Sequence, residues 1–218
     1  MSAGSRPNPA TVLGVAYLAG SIPFSGMLAR VLRGVDLRTT GTGTVSGTGL
    51  YRVAGLGPLL VGGLLDVAKG TVGPALAGSD RPGLAAAAGA AAVTGHNWSP
   101  FLRGAGGRGI SPAMGSLLVN GWPGSIHLLI ALAVGKLSKA TSLGAFAGFI
   151  TLPMVMARAR GGRGLVAALA LLGPMFVKRV TGNTPLPRDE SRTRLAATRL
   201  LFDQDTPAWP WWWPGART

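Results

Sequence analysis

The sequence predicts an all-α, polytopic membrane bundle of six or seven helices, some of them short or re-entrant, with glycine-rich cytoplasmic loops. Three observations predict this fold class. Of the 218 residues, 47% are hydrophobic and only 13% are charged, and the mean hydropathy is +0.37, which lies outside the usual range of soluble proteins. Several segments about as long as one membrane crossing carry few or no charges. The chain also lacks the alternating pattern of a β-strand.

The first apolar segment, residues 10–29, is a charge-free stretch of 20 residues. A helix of about 20 residues crosses the hydrocarbon core, so we expect a spanning helix here. A removable signal peptide is the alternative. Arg6 is the only charge ahead of the segment, and Arg30 and Arg33 follow it directly, which favours a retained helix.

The later apolar segments supply the remaining helices. Four of them span residues 50–76, 82–102, 140–157 and 164–177. The stretch 109–135 is too long for one untilted crossing, and "NGWPG" at 120–124 is expected to break it into two short helices. We expect the short helices to be surrounded by protein rather than by lipid.

The chain divides into a membrane domain, residues 1–180, and a basic, Trp/Pro-rich tail, residues 181–218. The tail ends in "PAWPWWWPGART", and its prolines exclude a helix interior. The tryptophans suit the headgroup region of a bilayer, whereas an unstructured terminus is the alternative. We therefore expect the tail to be partly disordered.

Basic residues predict the orientation in the membrane. If seven helices alternate across the bilayer, most of the basic residues fall on one side, which is then cytoplasmic. They are Arg30, Arg33, Arg38, Arg103, Arg108, Lys136, Lys139 and those of the tail. Three further arginines lie between the last two helices and would then fall on the opposite side of the membrane, unless the short helices form a re-entrant pair. They are Arg158, Arg160 and Arg163.

Net charge and cysteine content limit the function classes. Lysine and arginine outnumber aspartate and glutamate by 21 to 7, which in so apolar a chain favours lipid headgroups or phosphorylated substrates as partners. Aromatic residues make up 6%, and four of the six tryptophans lie in the last ten residues, so we expect no nucleic-acid partner. Without cysteine there are no disulfides, thiolate nucleophiles or cysteine-ligated metals.

Three polar residues within the apolar segments are candidates for a site. Asp66 and Lys69 are three residues apart and share a helical face, so they can neutralise each other. Charges at membrane depth are usually retained for a site, but an ion pair that only closes a helix end fits equally well. His96, about ten residues before a glycine-rich loop, is either a site residue or a hydrogen-bonded core histidine.

Two glycine-rich loops share one chemistry. They read "RTTGTGTVSGTG" at 38–49 and "GAGGRG" at 104–109. Glycines let backbone N–H groups converge on an anion, hydroxyls add donors, and an arginine offers the bidentate charge that suits phosphate. Close helix packing is the alternative use of such glycines. Neither loop is a nucleotide-binding fingerprint, because no strand precedes it.

Five motifs together resemble a known family. They are "YLAGSIPFSGMLAR", "RTTGTGTVSGTGLYRVAG", "DVAKG", "GHNWSPFLRGAGGRG" and "TSLGAF", which cover most of residues 13–157. Their order and spacing resemble the bacterial acyl-phosphate-dependent glycerol-3-phosphate acyltransferases. The resemblance implies a multi-pass enzyme of the inner (plasma) membrane, with its active site facing the cytoplasm and no metal or cofactor. Such an enzyme moves a fatty acyl group from acyl phosphate to the 1-hydroxyl of glycerol 3-phosphate, or a similar phosphorylated acceptor, and makes lysophosphatidic acid.

The resemblance also implies roles for individual residues. The residues that match the family's substrate phosphate-binding loops are Thr42, Gly43, Thr48, Arg52, Gly106, Gly107 and Gly109. The implied catalytic residues are Arg108, His96, Lys69 and Ser142, and Asp66 pairs with Lys69. These roles come from the resemblance and not from the spacing alone.

The chain also departs from the family pattern. Thr44 and Gly49 replace two asparagines of the first loop, and Ala105 replaces the first lysine of the second. The family's asparagine and glutamate near the carboxyl end have no clear counterpart, although Asn183 offers a substitute amide. A divergent member of the family is therefore expected. The alternatives are a catalytically degenerate relative that binds lipid or regulates other membrane proteins, and a small transporter, for which only the intramembrane charges and broken helices speak.

Overall fold

The computed structural model describes residues 6–189 and 191–204, and within them it is a bundle of α-helices. The helices are α1 Pro9–Ser21, α2 Phe24–Arg33, α3 Gly47–Ala54, α4 Leu56–Ala77, α5 Pro82–Asn97, α6 Ile110–Leu137, α7 Thr141–Thr181 and α8 Ser191–Phe202. Four segments of the described chain are long and apolar enough to cross a membrane, namely Pro9–Arg33, Leu56–Ala77, Ile110–Leu137 and Thr141–Thr181. The all-helical membrane fold predicted from the sequence is confirmed.

The first predicted helix is two helices. The helical conformation stops between α1 and α2, where Ile22 is extended and Pro23 has φ −92° and ψ 66°. Proline disfavours the helical conformation of the residue before it, so Ile22 leaves the helix. The predicted spanning segment over residues 10–29 is thus found as the candidate span Pro9–Arg33, but it is not one continuous helix.

The second apolar segment is also divided. Gly55, with φ 83°, separates the short helix α3 from α4, and Ser46 caps α3 by accepting a hydrogen bond from the Gly49 N–H at 3.3 Å. The sequence predicted a loop up to residue 49 and one helix from residue 50, which was wrong for α3. The third segment is helical for only 16 residues in α5, because the chain turns at Trp98 into a 3₁₀-helix at Pro100–Leu102.

Helices α6 and α7 are each folded back on themselves. Gly121 breaks α6, and the Ser125 hydroxyl donates to the Met114 carbonyl at 2.7 Å across the bend. Gly161 breaks α7 with φ 61°, a left-handed conformation that favours glycine. The predicted break at "NGWPG" and the predicted pair of helices within residues 140–177 are thus observed as two helical hairpins.

The hairpins define two ends of the bundle. Both arms of α7 start and finish at one end, where Arg179 Nη2 donates to the Ser142 carbonyl at 2.9 Å. The glycine-rich loops lie at this end, which we call the loop face. The hairpin tips lie at the other end, the tip face, where a Cβ on Gly121 would meet Arg160 Cγ at 3.2 Å. Because α7 turns back at Gly161, the arginines near residue 160 lie at the tip face, which is why they did not fit the predicted orientation.

Small residues allow the helices to approach closely. A Cβ added to Gly70 of α4 would lie 2.1 Å from the Pro112 carbonyl oxygen of α6, and one added to Gly115 would lie 1.9 Å from the Val67 carbonyl oxygen. Such backbone contact is typical of membrane helices, whose association depends on packing. The α4–α6 contact positions the start of α6 beside the loops.

The C-terminal tail is partly helical. Helix α8 packs against α7, and its Thr198 and Arg199 are buried. The tryptophan-rich segment of the predicted tail, within 205–218, lies outside the described residues.

Candidate active site

The two glycine-rich loops meet at the loop face. The Val45 N–H of the first loop donates to the Gly106 carbonyl of the second at 3.2 Å. Asn183 joins both loops, because its Nδ2 donates to the carbonyls of Gly43 at 2.9 Å and Gly106 at 3.1 Å, and its Oδ1 accepts from the Gly106 N–H at 3.2 Å. The sequence offered Asn183 only as a substitute amide, since its spacing from the loops carries no signal.

A small polar cavity lies beneath this junction. Its walls include Ser21, Ser25, Asp66, Lys69, His96, Ser99, Gly106 and Gly107. Five residues that the sequence singled out, in α4, α5 and the second loop, are therefore brought together. The three serines were missed because a single serine in an apolar segment has no distinguishing pattern.

The buried ion pair in α4 forms hydrogen bonds with residues at the break between α1 and α2. Lys69 Nζ lies 2.7 Å from Asp66 Oδ1 and donates to the Ile22 carbonyl at 2.6 Å. Asp66 Oδ2 accepts from the Ser25 hydroxyl at 2.8 Å. Both charged residues are buried, so each partner satisfies a group that could not reach water. This geometry matches the helix-closing role that the sequence left open, although the pair also lines the cavity.

His96 lies at the end of α5 against the second loop. Its carbonyl accepts from the Gly107 N–H at 3.1 Å, and a Cβ on Gly107 would lie 2.1 Å from His96 Nε2. Only glycine lets the loop approach the imidazole so closely. The Gly107 position therefore determines where the ring of His96 sits in the cavity wall.

The loop N–H groups are only partly available for an anion. Those of Gly106 and Gly107 donate to Asn183 and His96. Those of Arg108 and Gly109 donate to no acceptor in the described part of the chain, and they lead directly into the first turn of α6. A helix N-terminus favours anions, so the anion-binding potential is concentrated at Arg108, Gly109 and the start of α6 rather than over the whole loop.

The remaining predicted site residues lie outside the cavity walls. Arg52 and Thr48 of α3 are exposed, and Arg52 Nη1 would lie 3.8 Å from a Cβ on Gly41 of the first loop. The Thr42 hydroxyl donates to Thr44 Oγ1 at 2.9 Å. Ser142 is half-buried at the start of α7, where its carbonyl accepts from Arg179. These residues lie at the loop face, but none of them lines the polar cavity.

An ion pair orders the start of the first loop. Asp36 accepts hydrogen bonds from the Arg38 backbone N–H at 3.0 Å and from Arg38 Nη2 at 2.6 Å. The hydrogen bonds from Arg38 lower the pKa of Asp36 to about 2. The carboxylate is therefore ionised at neutral pH, and its contribution is lost only as the pH falls from about 4 towards 2.

A larger apolar chamber adjoins the polar cavity. It has a volume of about 410 Å³, in the range of small-molecule sites. Its walls include Ile22, Pro23, Met27, Val45, Phe101 and Leu102, with Arg30, Asp36 and Arg38 at its edge. Pro23, Val45 and Leu102 belong to the walls of both spaces. The two spaces are therefore adjacent, although the polar cavity, at about 10 Å³, has room for only about one water molecule.

Comparison with known proteins identifies relatives of this chain. The sequence model of the glycerol-3-phosphate acyltransferase family matches residues 10–183. A glycerol-3-phosphate acyltransferase from Synechococcus sp. (strain CC9902) is 35% identical over 175 residues, which cover 79% of this chain and 88% of the relative. One from Myxococcus xanthus (strain DK1622) is 42% identical over 143 residues, which cover 63% of this chain and 73% of the relative.

Two solved structures have a similar fold. The crystal structure of PlsY (YgiH), an integral membrane glycerol 3-phosphate acyltransferase, in its glycerol 3-phosphate form has a TM-score of 0.71 and 25% identity, and the match covers 78% of this chain and 88% of that one. The lysophosphatidic acid form has a TM-score of 0.71 and 23% identity, with coverages of 88% and 93%. The latter likeness concerns the fold alone.

Proposed function

Because the chain belongs to the glycerol-3-phosphate acyltransferase family, we propose that it transfers a fatty acyl group from acyl phosphate to the 1-hydroxyl of glycerol 3-phosphate. The product is lysophosphatidic acid, a precursor in phospholipid biosynthesis. The observation that carries this proposal is the junction of the two glycine-rich loops, beside a polar cavity that shares wall residues with an apolar chamber.

The donor phosphate is assigned to the start of α6. Arg108 supplies a guanidinium, and the N–H groups of Arg108 and Gly109 precede the positive end of the α6 dipole. The acyl chain then extends into the apolar chamber, whose wall residues Val45 and Leu102 also border the polar cavity. Burial of the chain in an apolar space is favourable, at about 0.8 kcal/mol per methylene.

The acceptor phosphate is assigned to the first loop and α3. Arg52 is exposed beside the loop, so it can reach a phosphate without first giving up an internal partner. Thr42 and Thr48 add hydroxyl donors on the same segment. Since Asn183 ties Gly43 to Gly106, the acceptor and donor phosphates are held at a fixed distance from each other.

The chemical step needs alignment more than it needs a nucleophile from the protein. The 1-hydroxyl oxygen attacks the acyl carbonyl carbon, the bond from that carbon to the phosphate oxygen breaks, and the hydroxyl proton passes to a phosphate oxygen. Acyl phosphate is already activated, so holding both phosphates accounts for most of the catalysis. Arg108 stabilises the charge that develops on the leaving phosphate, and His96 and Lys69 contribute to the field of the cavity.

We place the loop face on the cytoplasmic side of the inner membrane. Basic residues gather there, which agrees with the positive-inside rule. They include Arg30, Arg33, Arg38, Arg52, Arg103, Arg108, Lys136, Lys139, Lys178 and Arg179. Lys136 Nζ lies 4.7 Å from the ring centroid of Tyr51 in α3, so the end of α6 returns to this face.

Substitution of the two arginines tests the assignment. We expect Arg52→Ala to raise the KM for glycerol 3-phosphate by roughly tenfold or more, since a charge-assisted hydrogen bond contributes about 1.5–3 kcal/mol. Arg108→Ala should instead lower both kcat and kcat/KM for acyl phosphate, because its contact strengthens as charge moves onto the phosphate. The measurement is acyl transfer by the purified protein in lipid. Arg163→Ala at the tip face is the control and should leave both constants unchanged.

Donor selectivity separates this enzyme from a degenerate relative. Acyl phosphate should support transfer, whereas acyl thioesters should not, because their leaving group does not fit the same phosphate site. A wild-type protein that binds acyl phosphate but transfers nothing to any phosphorylated acceptor would contradict the enzymatic assignment. It would favour the lipid-binding alternative instead.

A further inference from the structure

Arg108 is held by two groups that lie outside the glycine-rich loop. The residue is only 6% exposed. Its Nε lies 2.6 Å from Asp203 Oδ1, and its Nη1 donates to the Lys178 carbonyl at 3.0 Å. Nε and Nη2 are both buried and make no hydrogen bond within residues 6–189 and 191–204, although Nε is in ion-pair contact with Asp203. The guanidinium is therefore held by one hydrogen bond and one ion pair, and its Nη2 has neither.

The helix that leads to Asp203 is itself anchored by buried arginines. Arg199 of α8 is 1% exposed and donates to the Thr181 carbonyl at 2.8 Å and to the Thr184 hydroxyl at 2.5 Å. Arg179 of α7 donates in return to the Leu201 carbonyl at 3.4 Å. These contacts satisfy carbonyls at the C-terminal ends of two helices. They fix α8 on α7, and so fix the point at which Asp203 meets Arg108.

The backbone at Asp203 is left-handed, a conformation that aspartate adopts more readily than most residues with a side chain. Asp203 follows α8 with φ 53°, the left-handed conformation in which glycine ordinarily ends a helix. Its N–H donates to the Arg199 carbonyl at 3.0 Å, so the turn is well formed. Aspartate is compatible with this turn, and its carboxylate reaches Arg108 where glycine could not.

The surrounding charge favours a ligand anion even after the ion pair has formed. Two further buried cations, Lys178 and Arg179, flank Arg108 on α7. Lys178 Nζ lies 5.2 Å from the ring centroid of Trp98 at the end of α5. Asp203 neutralises one unit of this charge through its contact with Nε of Arg108, and Nη2 makes no hydrogen bond within the described residues. Three buried cations and one carboxylate leave this cluster with a net positive charge, which favours an anion.

We infer that Asp203 is a positioning residue of the donor phosphate site. It holds the Arg108 guanidinium by Nε and so presents Nη2 to the phosphate of the acyl donor. This inference rests on the proposed function, in which Arg108 binds that phosphate. It adds α8 to the active site, although the family match ends at residue 183 and α8 begins only at Ser191.

Three variants of the full chain test this role in lipid. Asp203→Asn should lower kcat/KM for acyl phosphate by about tenfold and leave the KM for glycerol 3-phosphate unchanged, because only the donor arginine loses its orientation. Asp203→Glu retains the charge and should recover a large part of the loss. Asp80→Asn is the matched control, since Asp80 pairs with Arg6 at the tip face, and it should have no effect.

A double variant distinguishes an effect through Arg108 from a general loss of structure. In an Arg108→Ala background, Asp203→Asn should cause no further loss, whereas a purely structural role would still lower activity. Binding of acyl phosphate by calorimetry gives a readout that does not need turnover, and Asp203→Asn should weaken it by the same factor. Thermal unfolding of each variant confirms that the bundle is intact.

Other outcomes overturn the inference. Unchanged donor constants in Asp203→Asn would show that Arg108 needs no such support. A faster enzyme, or tighter acyl phosphate binding, would show that Asp203 competes with the phosphate. If the wild type transfers no acyl group, the proposed function fails, and the calorimetric comparison alone then decides the role of Asp203.

Discussion

At the scale of single residues, several polar side chains of this protein form hydrogen bonds with backbone groups where helices are interrupted. Lys69 and Asp66 are buried at the point where α1 ends, and Lys69 satisfies the carbonyl that the break at Ile22 exposes. Asn183 does the same for two loop carbonyls. Each side chain provides a hydrogen bond that the interrupted backbone cannot make for itself, which is a strong requirement inside a membrane.

The Asp66–Lys69 pair can be tested by a double-mutant cycle. Lys69→Met leaves a buried carboxylate and the Ile22 carbonyl without their partner, so we expect a loss of about 3–5 kcal/mol. Asp66→Asn combined with Lys69→Met should recover part of this loss, because no buried charge remains. Thermal unfolding in detergent measures both effects. A single variant as stable as the wild type would show that the pair serves the substrate and not the helix break.

At the scale of helices, close approach of backbones determines how the elements pack. The contact between α4 and α6 depends on Gly70 and Gly115, each of which faces a carbonyl at a distance that no Cβ could occupy. The same helix α4 carries Gly63, at which an added Cβ would meet nothing within 4 Å. Similar residues in similar sequence surroundings therefore have opposite roles, which the hydropathy pattern does not reveal.

Alanine substitution separates these two kinds of glycine. Gly115→Ala should destabilise the bundle by about 1–3 kcal/mol or more, because α6 must move away from the Val67 carbonyl. Gly63→Ala should be neutral or slightly stabilising, since alanine favours the helix by about 1 kcal/mol over glycine. Differential scanning of the two variants under one detergent condition measures the difference. Equal stabilities would contradict the described packing of α4 on α6.

At the scale of the whole molecule, the two helical hairpins determine which residues share a face. Because α7 turns back at Gly161, both Ser142 and Arg179 lie at the loop face. Helix α5 runs from the tip face to the loop face, so His96 in its last turn reaches the second loop. The basic residues are thus concentrated at one end of the bundle, while the tips carry a smaller group near residue 160.

The absence of native cysteine gives a clean test of this topology. A single cysteine at Lys139→Cys should react with a membrane-impermeant maleimide only after cells are permeabilised, because it lies at the loop face. Gly162→Cys at the α7 tip should react in intact cells. Both positions are exposed, so accessibility to the reagent is not limited by burial. Labelling of both cysteines from the same side would contradict the hairpin in α7.

The sequence by itself determined the membrane class, the helical fold, the breaks at residues 120–124 and near residue 160, and the motifs of the two glycine-rich loops. These properties depend on local composition and on residues close in the chain, which a single sequence contains. It did not reveal the separate helix α3 or the position of α8, because neighbouring elements stabilise them. The break before Pro23 has a local cause, but a proline within an apolar segment does not by itself end a membrane helix, and the Ile22 carbonyl finds its partner in Lys69 of α4.

Only the tertiary structure decided which of the polar residues act together. Asn183 and Gly43 form a hydrogen bond although they are 140 residues apart. Asp203, which forms an ion pair with Arg108, follows α8 in the segment that the sequence predicted to be a partly disordered tail. Such contacts depend on how the hairpins fold back and on how closely the glycines allow helices to approach. The physical reason is that a buried donor or acceptor takes whichever partner the packing brings near, and packing is a property of the whole bundle.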